Sequence, residues 1–193
     1  METDQQDILT SITAFLSGNN IPYMVTGAWS VIYYGRPRAS HDIDFVVEIE
    51  PNQTGKILTI LKKLSHDFQF QEHAIREAIK NKGMFNIIHV PTYLKLDFWL
   101  LTTDEFDKNR FRRKQEVEVL GQKMMLATAE DTILQKLRWY KISPIEKSLI
   151  DAAFVYQIQK KNLDATYLIN WAKFLNVTKQ LKKLGTIDLE PYI

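Results

Sequence analysis

Asp42-Ile43-Asp44-Phe45-Val46-Val47-Glu48-Ile49 is the stretch on which the fold turns. Its alternation reads as a strand, with Ile43, Phe45, Val47 and Ile49 on one side and Asp42, Asp44 and Glu48 on the other. Carboxylates two residues apart on one strand face sit roughly 7 Å apart at Cα. Like charges so placed repel unless a cation lies between them, and Asp is in any case depleted from strands. Mg2+ takes hard oxygen ligands at about 2.1 Å, prefers one or two carboxylates, and completes its shell from water and substrate phosphates. Asp42 and Asp44 are therefore candidate metal ligands for phosphoryl transfer. The competing reading of so common a tripeptide is an acid pair that caps the loop before a strand.

Two neighbouring segments favour the metal. Downstream, Lys95-Leu96-Asp97-Phe98-Trp99-Leu100 embeds another acid in an apolar strand, where a carboxylate rarely persists without a partner. Three carboxylates on adjacent strands suit a two-metal site that activates the attacking oxygen and clamps a triphosphate. Upstream, Val25-Thr26-Gly27-Ala28-Trp29-Ser30 falls at a strand–helix junction, where small residues let a phosphate approach the backbone N–H groups of a helix N-terminus. Taken alone, Gly27-Ala28 is equally well explained by close packing.

Working outward, apolar spacing predicts a first helix over Asp4–Leu16, ended by Gly18-Asn19-Asn20, and a short buried strand at Tyr23–Val25. A helix over Trp29–Tyr34 follows, stopped by Gly35 and Pro37. After the acidic strand come a helix opened by Pro51-Asn52 and a second over Glu72–Lys80. Strands are predicted at Met84–Val90 and Tyr93–Leu101, and a hairpin at Val117–Leu120 and Lys123–Leu126 around Gly121-Gln122. From Thr128 the pattern becomes helical throughout: Ala129–Tyr140, Pro144–Lys161, Asp164–Phe174 and Thr178–Leu184, with capping boxes read at Thr128–Asp131 and Ser143–Glu146. The expectation is an α+β fold, a mixed sheet flanked by helices with a C-terminal helical bundle segment, divided into a core over 1–127 and a helical region over 128–193 packed on it.

At 193 residues, 45% hydrophobic and 25% charged, the chain has an ordinary globular balance. Its cysteine count is 0, which excludes disulfides and thiolate metal sites and suits a reducing cytoplasm. The opening METDQQDILTSITAF is too polar for a signal peptide, and no apolar run approaches the roughly 20 residues needed to cross a bilayer. A net charge of +2 does not announce a nucleic-acid binder. Lys108, Arg110, Arg112, Arg113 and Lys114 do form a basic cluster, read either as a solvated face or as contact with phosphates or an RNA backbone.

The succession Val25-Thr26-Gly27-Ala28-Trp29-Ser30, then Asp42-Ile43-Asp44-Phe45, resembles the signature of the nucleotidyltransferase superfamily, which has the DNA polymerase β-like fold. Closest in style is the branch of AbiEii-type abortive-infection toxins and related small bacterial proteins. That branch carries an Arg and a Ser or Thr shortly before Asp-Ile-Asp-Phe, matched here by Arg36, Arg38 and Ser40. Ala129–Arg138 is similar to the helix in which the branch places a lysine, here Lys136, and Asp151 matches its further acidic position. Ala28 departs from the Gly or Ser of the signature and removes a hydroxyl contact to phosphate.

The resemblance implies Mg2+-dependent transfer of a nucleoside monophosphate from an NTP to an acceptor hydroxyl, with release of pyrophosphate and with Mn2+ as the alternative cation. Asp42, Asp44 and Asp97 would hold metal, with Asp97 assisting deprotonation. Lys136 would neutralise triphosphate charge, while Gly27, Ala28, Ser30, Arg36, Arg38, Ser40 and Asp151 would line the nucleotide. The acceptor is left open between RNA or tRNA, a protein and a small molecule, and a cognate antitoxin is a further implied partner. The rival reading is a non-catalytic nucleotide-binding module or toxin–antitoxin component that keeps the fold. On helical spacing alone, Lys136 and Asp151 read equally well as a structural ion pair between neighbouring helices.

Overall fold

A computed structural model describes residues 5–119 and 121–192. Asp4, the expected start of the first helix, and Leu120, the expected end of a strand, lie outside the described residues. In chain order the elements are α1 (Gln5–Gly18), β1 (Tyr23–Thr26), α2 (Gly27–Tyr34), β2 (Asp42–Val47), α3 (Thr54–Leu61), β3 (Phe68–Gln69), α4 (Glu72–Asn81), β4 (Met84–His89), β5 (Leu94–Leu100), α5 (Glu105–Arg113), β6 (Gln115–Val119), β7 (Gln122–Leu126), α6 (Ala129–Ile142), α7 (Glu146–Gln159), α8 (Ala165–Phe174) and α9 (Thr178–Lys183). They form two compact units, one of residues 5–26 and 40–126, the other of residues 27–39 and 127–192. No helix among the described residues is long and apolar enough to cross a membrane.

The first unit is built on a seven-stranded sheet in the order β3-β4-β5-β2-β1-β7-β6. β2 runs parallel to β5 and β1 parallel to β7, while β1–β2, β3–β4, β4–β5 and β6–β7 are antiparallel. This is the mixed sheet expected from the sequence, in an α+β fold. Beneath β2, β5 and β4 one row of the inward residues is aromatic, flanked by aliphatic side chains such as Ile43, Leu96 and Ile87. Phe45 stacks on Phe98 at 4.9 Å between ring centroids, and Phe98 on Phe85 at 5.1 Å. Such pairs contribute about 0.5–1.5 kcal/mol each beyond area burial, and they lie at paired positions across the three strands. A one-residue slip would turn every one of these rings to solvent, so the stack sets the register of the opposite face as well.

In the second unit, α2 lies with α6 and α7, and α8 against α6. Thr128 caps α6 as expected, accepting from the Asp131 N–H at 3.2 Å and donating its hydroxyl to Asp131 Oδ2 at 2.7 Å. The expected Ser143 cap does not form. Ser143 ends α6 in extended conformation, because a following proline disfavours helical backbone at the residue before it, and α7 begins only at Glu146.

Other boundaries shift by a few residues. α2 starts at Gly27 rather than Trp29, with Gly27 at φ +64°, a conformation that side-chain-bearing residues rarely adopt. β2 stops at Val47, β4 at His89, and β5 starts at Leu94, because Val90–Thr92 winds a 3-10 turn closed by Tyr93 at φ +56°. The basic cluster forms the end of an unpredicted helix, α5, capped by Asp104 and carrying its cations in the last turn, where the helix dipole favours them. It is no continuous basic patch: Arg110 is buried against Asp107 at 3.0 Å, and Lys114 lies over the Phe111 ring.

Candidate active site

The carboxylates of the first unit are brought together by strand register. β2 and β5 pair in parallel with Asp42 beside Lys95 and Asp44 beside Asp97. Paired residues of neighbouring strands share a face, so all four side chains rise from the sheet surface opposite the aromatic stack. Asp42 and Asp44 are half-buried, while Asp97 is only 5% exposed.

Each acid is met by a protein donor. Ser40, itself buried, donates its hydroxyl to Asp42 Oδ1 at 2.9 Å, and its carbonyl accepts from Gln5 Nε2 at 2.7 Å. Trp99 Nε1–H donates to Asp44 Oδ1 at 3.3 Å. Lys95 Nζ lies 2.9 Å from Asp97 Oδ2. The hydrogen bond to Asp97 holds the Lys95 ammonium above its ordinary pKa, with Asp42 and Asp44 adding to the field and partial burial opposing it. Lys95 and Trp99 carry no mark in the sequence that separates them from any other strand residue. Trp99 reaches Asp44 through register, and Lys95 meets Asp97 through alternation within β5.

No three carboxylate or imidazole groups converge into a ready-made metal cluster among the described residues. The donor set nonetheless fits a divalent cation. Asp97 Oδ1 is buried with no hydrogen-bond partner, and an unpaired buried acceptor costs about 1–3 kcal/mol. A cation on the lone pairs of Asp97, Asp44 and Asp42 would remove that cost and the repulsion among them.

The second unit holds a cluster of opposite sign. Asp151, 1% exposed, receives Arg38 through a fork, Nε to Oδ1 at 3.0 Å and Nη2 to Oδ2 at 2.9 Å. Lys136 Nζ approaches the same Oδ2 at 2.9 Å. Lys136 and Asp151 are thus the ion pair that helical spacing allowed, and Arg38 completes a triad with two cations on one carboxylate. Both cations are largely buried, so the excess positive charge is poorly solvated and suited to receiving an anion.

The remaining sequence-predicted residues are held more locally. Ser30 is fully buried and donates its hydroxyl to the Gly27 carbonyl at 3.0 Å, turned onto its own helix; Ala28 is buried beside it. The Arg36 guanidinium lies 4.3 Å over the Phe154 ring and donates to the Tyr192 carbonyl, a structural tether within the second unit. Of the scattered histidines, His89 is buried with Nδ1 at 2.8 Å from the Thr92 hydroxyl.

The sequence profile of the aminoglycoside-2''-adenylyltransferases matches residues 8–125, more than half of the chain. The chain belongs to the aminoglycoside-2''-adenylyltransferase family. As a member of that family the protein is a nucleotidyltransferase, and the matched stretch contains Asp42, Asp44 and Asp97 but ends before Lys136 and Asp151. No curated protein matches the sequence.

Solved structures share the fold. The antibiotic-resistance factor ANT(2'')-Ia in solution is 16% identical over 94% of this chain and 97% of its own, with a TM-score of 0.61. An antigenic nucleotidyltransferase-like protein from Paracoccidioides brasiliensis is 13% identical over 93% and 90%, at 0.57. The lincomycin-bound lincosamide antibiotic adenylyltransferase LnuA is 14% identical over 81% and 98%, at 0.53. The family match supports the superfamily membership read from the sequence, and it lies with the antibiotic adenylyltransferases rather than with the toxin branch.

Proposed function

We propose that this protein transfers AMP from ATP to a hydroxyl of a small molecule, releasing pyrophosphate. The observation that carries the proposal is the pairing of Asp44 with Asp97 on one sheet face, with Asp97 Oδ1 buried and unpaired. In this reading Asp42, Asp44 and Asp97 would hold Mg2+, with Mn2+ as substitute. Bound there, the cation supplies charge neutralisation for the triphosphate and lowers the pKa of the attacking hydroxyl. The acceptor oxygen forms a new bond to the α-phosphorus as the bond from that phosphorus to the β-phosphate bridging oxygen breaks. The hydroxyl proton passes to Asp97 Oδ1, and pyrophosphate departs.

Ser40 and Trp99 orient Asp42 and Asp44 by donating to one oxygen of each. Within the second unit, Asp151 holds Lys136 as a point charge and Arg38 as a planar fork. Gly27, Ala28 and Ser30 have a backbone role at most, since the Ser30 hydroxyl is already engaged.

A small-molecule acceptor is preferred because ANT(2'')-Ia has been captured with adenylyl-2''-tobramycin and LnuA with lincomycin. An RNA acceptor and a cognate antitoxin have no counterpart among these relatives, and the basic cluster that favoured RNA is broken by the burial of Arg110. The test is calorimetric titration of ATP with and without Mg2+, into the parent protein and Asp44→Asn, alongside pyrophosphate release with tobramycin or lincomycin. Metal-dependent binding and turnover in the parent, reduced by about 10³-fold in turnover in the variant with unchanged circular dichroism, is the expected result. ATP binding that ignores both the metal and the substitution would sink the proposal and leave a nucleotide-binding module.

A further inference from the structure

Asp42 opens β2, and the segment that leads into it is held unlike a strand. Residues 36–41 lie in neither helix nor strand, and among the described residues no backbone-to-backbone hydrogen bond fixes them. Side chains do so instead. Gln5, at the start of α1, donates Nε2–H to the Ser40 carbonyl at 2.7 Å, and Ser40, 6% exposed, donates its hydroxyl to Asp42 Oδ1 at 2.9 Å. A contact that spans 35 positions thus ends on a candidate metal ligand. Docking of α1 does not need it, because Ile8, Leu9, Ile12 and Leu16, each 2% exposed or less, already bury the helix.

We infer that Gln5 is a positioning residue for the cation site, acting on Asp42 through Ser40. The inference rests on the proposed role of Asp42 as a metal ligand. The Ser40 carbonyl shares one planar peptide unit with the His41 N–H. Holding that plane restricts the rotations at Ser40 and His41 that would swing the Ser40 hydroxyl away from Asp42. From Asp42 onward, pairing with Lys95 on β5 holds the backbone, so the effect of Gln5 passes through the hydroxyl. The terminal torsion of an aspartate is broad, and a hydrogen bond to Oδ1 narrows it and presets Oδ2 for a cation. Losing an outer partner of this kind typically weakens metal binding by about 10- to 100-fold.

The test follows Mn2+ binding to the full chain, without nucleotide, by electron paramagnetic resonance, with Mg2+ as competitor. Ser40→Ala should weaken Mn2+ by about 10-fold, and Ser40→Thr should recover most of the loss. Gln5→Ala should weaken it by about 5-fold. The double variant Gln5→Ala/Ser40→Ala should be no weaker than Ser40→Ala alone, because both changes act on one path.

Unchanged Mn2+ affinity in Gln5→Ala, with a lowered urea midpoint, would make the contact a staple for α1 and overturn the inference. Losses that add in the double variant overturn it as well, since Gln5 would then act by a route other than Ser40. A parent that binds no Mn2+ at millimolar concentration does the same. ATP titration separates the two proposals. Metal-dependent ATP binding in the parent, beside a Gln5→Ala variant that keeps its Mn2+ affinity, refutes only the positioning role. Mn2+ binding that responds to Gln5→Ala, in a protein that binds no ATP, refutes only the adenylyl-transfer reading.

Discussion

The two units of this molecule hold charge in opposite ways. On the sheet of the first, three carboxylates share a partly open face with one ammonium. Within the helices of the second, a single buried carboxylate carries two cations. Each excess is tolerable because of what can neutralise it. The sheet face keeps Asp42 and Asp44 half-buried and leaves the buried Asp97 Oδ1 without a hydrogen bond, which suits a hard cation. The helical cluster has its carboxylate fully engaged, so the positive charge it leaves over is available to an anion. The difference teaches that a strand face can leave a carboxylate oxygen unpaired, whereas the helical cluster pairs both oxygens of Asp151 and makes it a structural anchor.

If that contrast is right, the largest effect on stability comes from the anchor. Asp151→Ala leaves Arg38 and Lys136 buried without a counter-ion and should cost about 3–5 kcal/mol, read from urea unfolding. A loss under about 1 kcal/mol would show the triad to be as dispensable as a surface ion pair. Asp44→Asn, by contrast, should unfold at nearly the parent's urea concentration, since Asp44 is half-buried and its neutral replacement relieves repulsion.

Lys136→Met keeps the Arg38 fork on Asp151 and sharpens the division of labour. Stability should fall by only about 1–2 kcal/mol in urea unfolding, because Arg38 still satisfies the Asp151 carboxylate. A loss as large as that of Asp151→Ala would show that the Arg38 fork cannot hold the carboxylate by itself.

The smallest effect belongs to Lys95→Met. Lys95 is substantially exposed, so its pairing with Asp97 is worth at most about 1 kcal/mol. Because the folded state raises its pKa, that contribution is complete below the unfolded lysine value of about 10.4 and is lost as pH rises through the raised folded value. The parent and the variant should therefore differ at pH 8 and converge in urea unfolding only once the pH has passed the raised folded value. Removing the ammonium should also tighten Mg2+ binding. A weaker Mg2+ response would mean that Lys95 helps build the cation site rather than guarding it.

Much of the acidic site is legible in the chain because alternation reveals which side of a strand a residue takes. Ile43, Phe45 and Val47 on one side of Asp42 and Asp44, and Leu96 and Phe98 around Asp97, required only a period of two. Helical spacing likewise marked Lys136 and Asp151 as partners, and Thr128 as a cap. The Ser143 cap failed because a capping-box pattern does not reveal whether the preceding helix still claims its first residue.

The partners of Arg38 and Trp99 are not legible because those contacts cross 113 and 55 positions, with no local pattern to single them out, whereas Lys95 and Asp97 share a face of β5 by alternation. Helix α2, though it follows β1 without a break, belongs with helices that begin at residue 129.

By itself the sequence marked most of the strands, though not β3, with their inward and outward faces, and it singled out Asp42, Asp44 and Asp97 as candidate site acids. Those are properties of neighbouring residues, written in periods of 2 and about 3.6. Tertiary structure alone decided which strand lies beside which. Register is set by non-local packing, here the stacking of Phe45, Phe98 and Phe85, and it is register that places Asp44 beside Asp97.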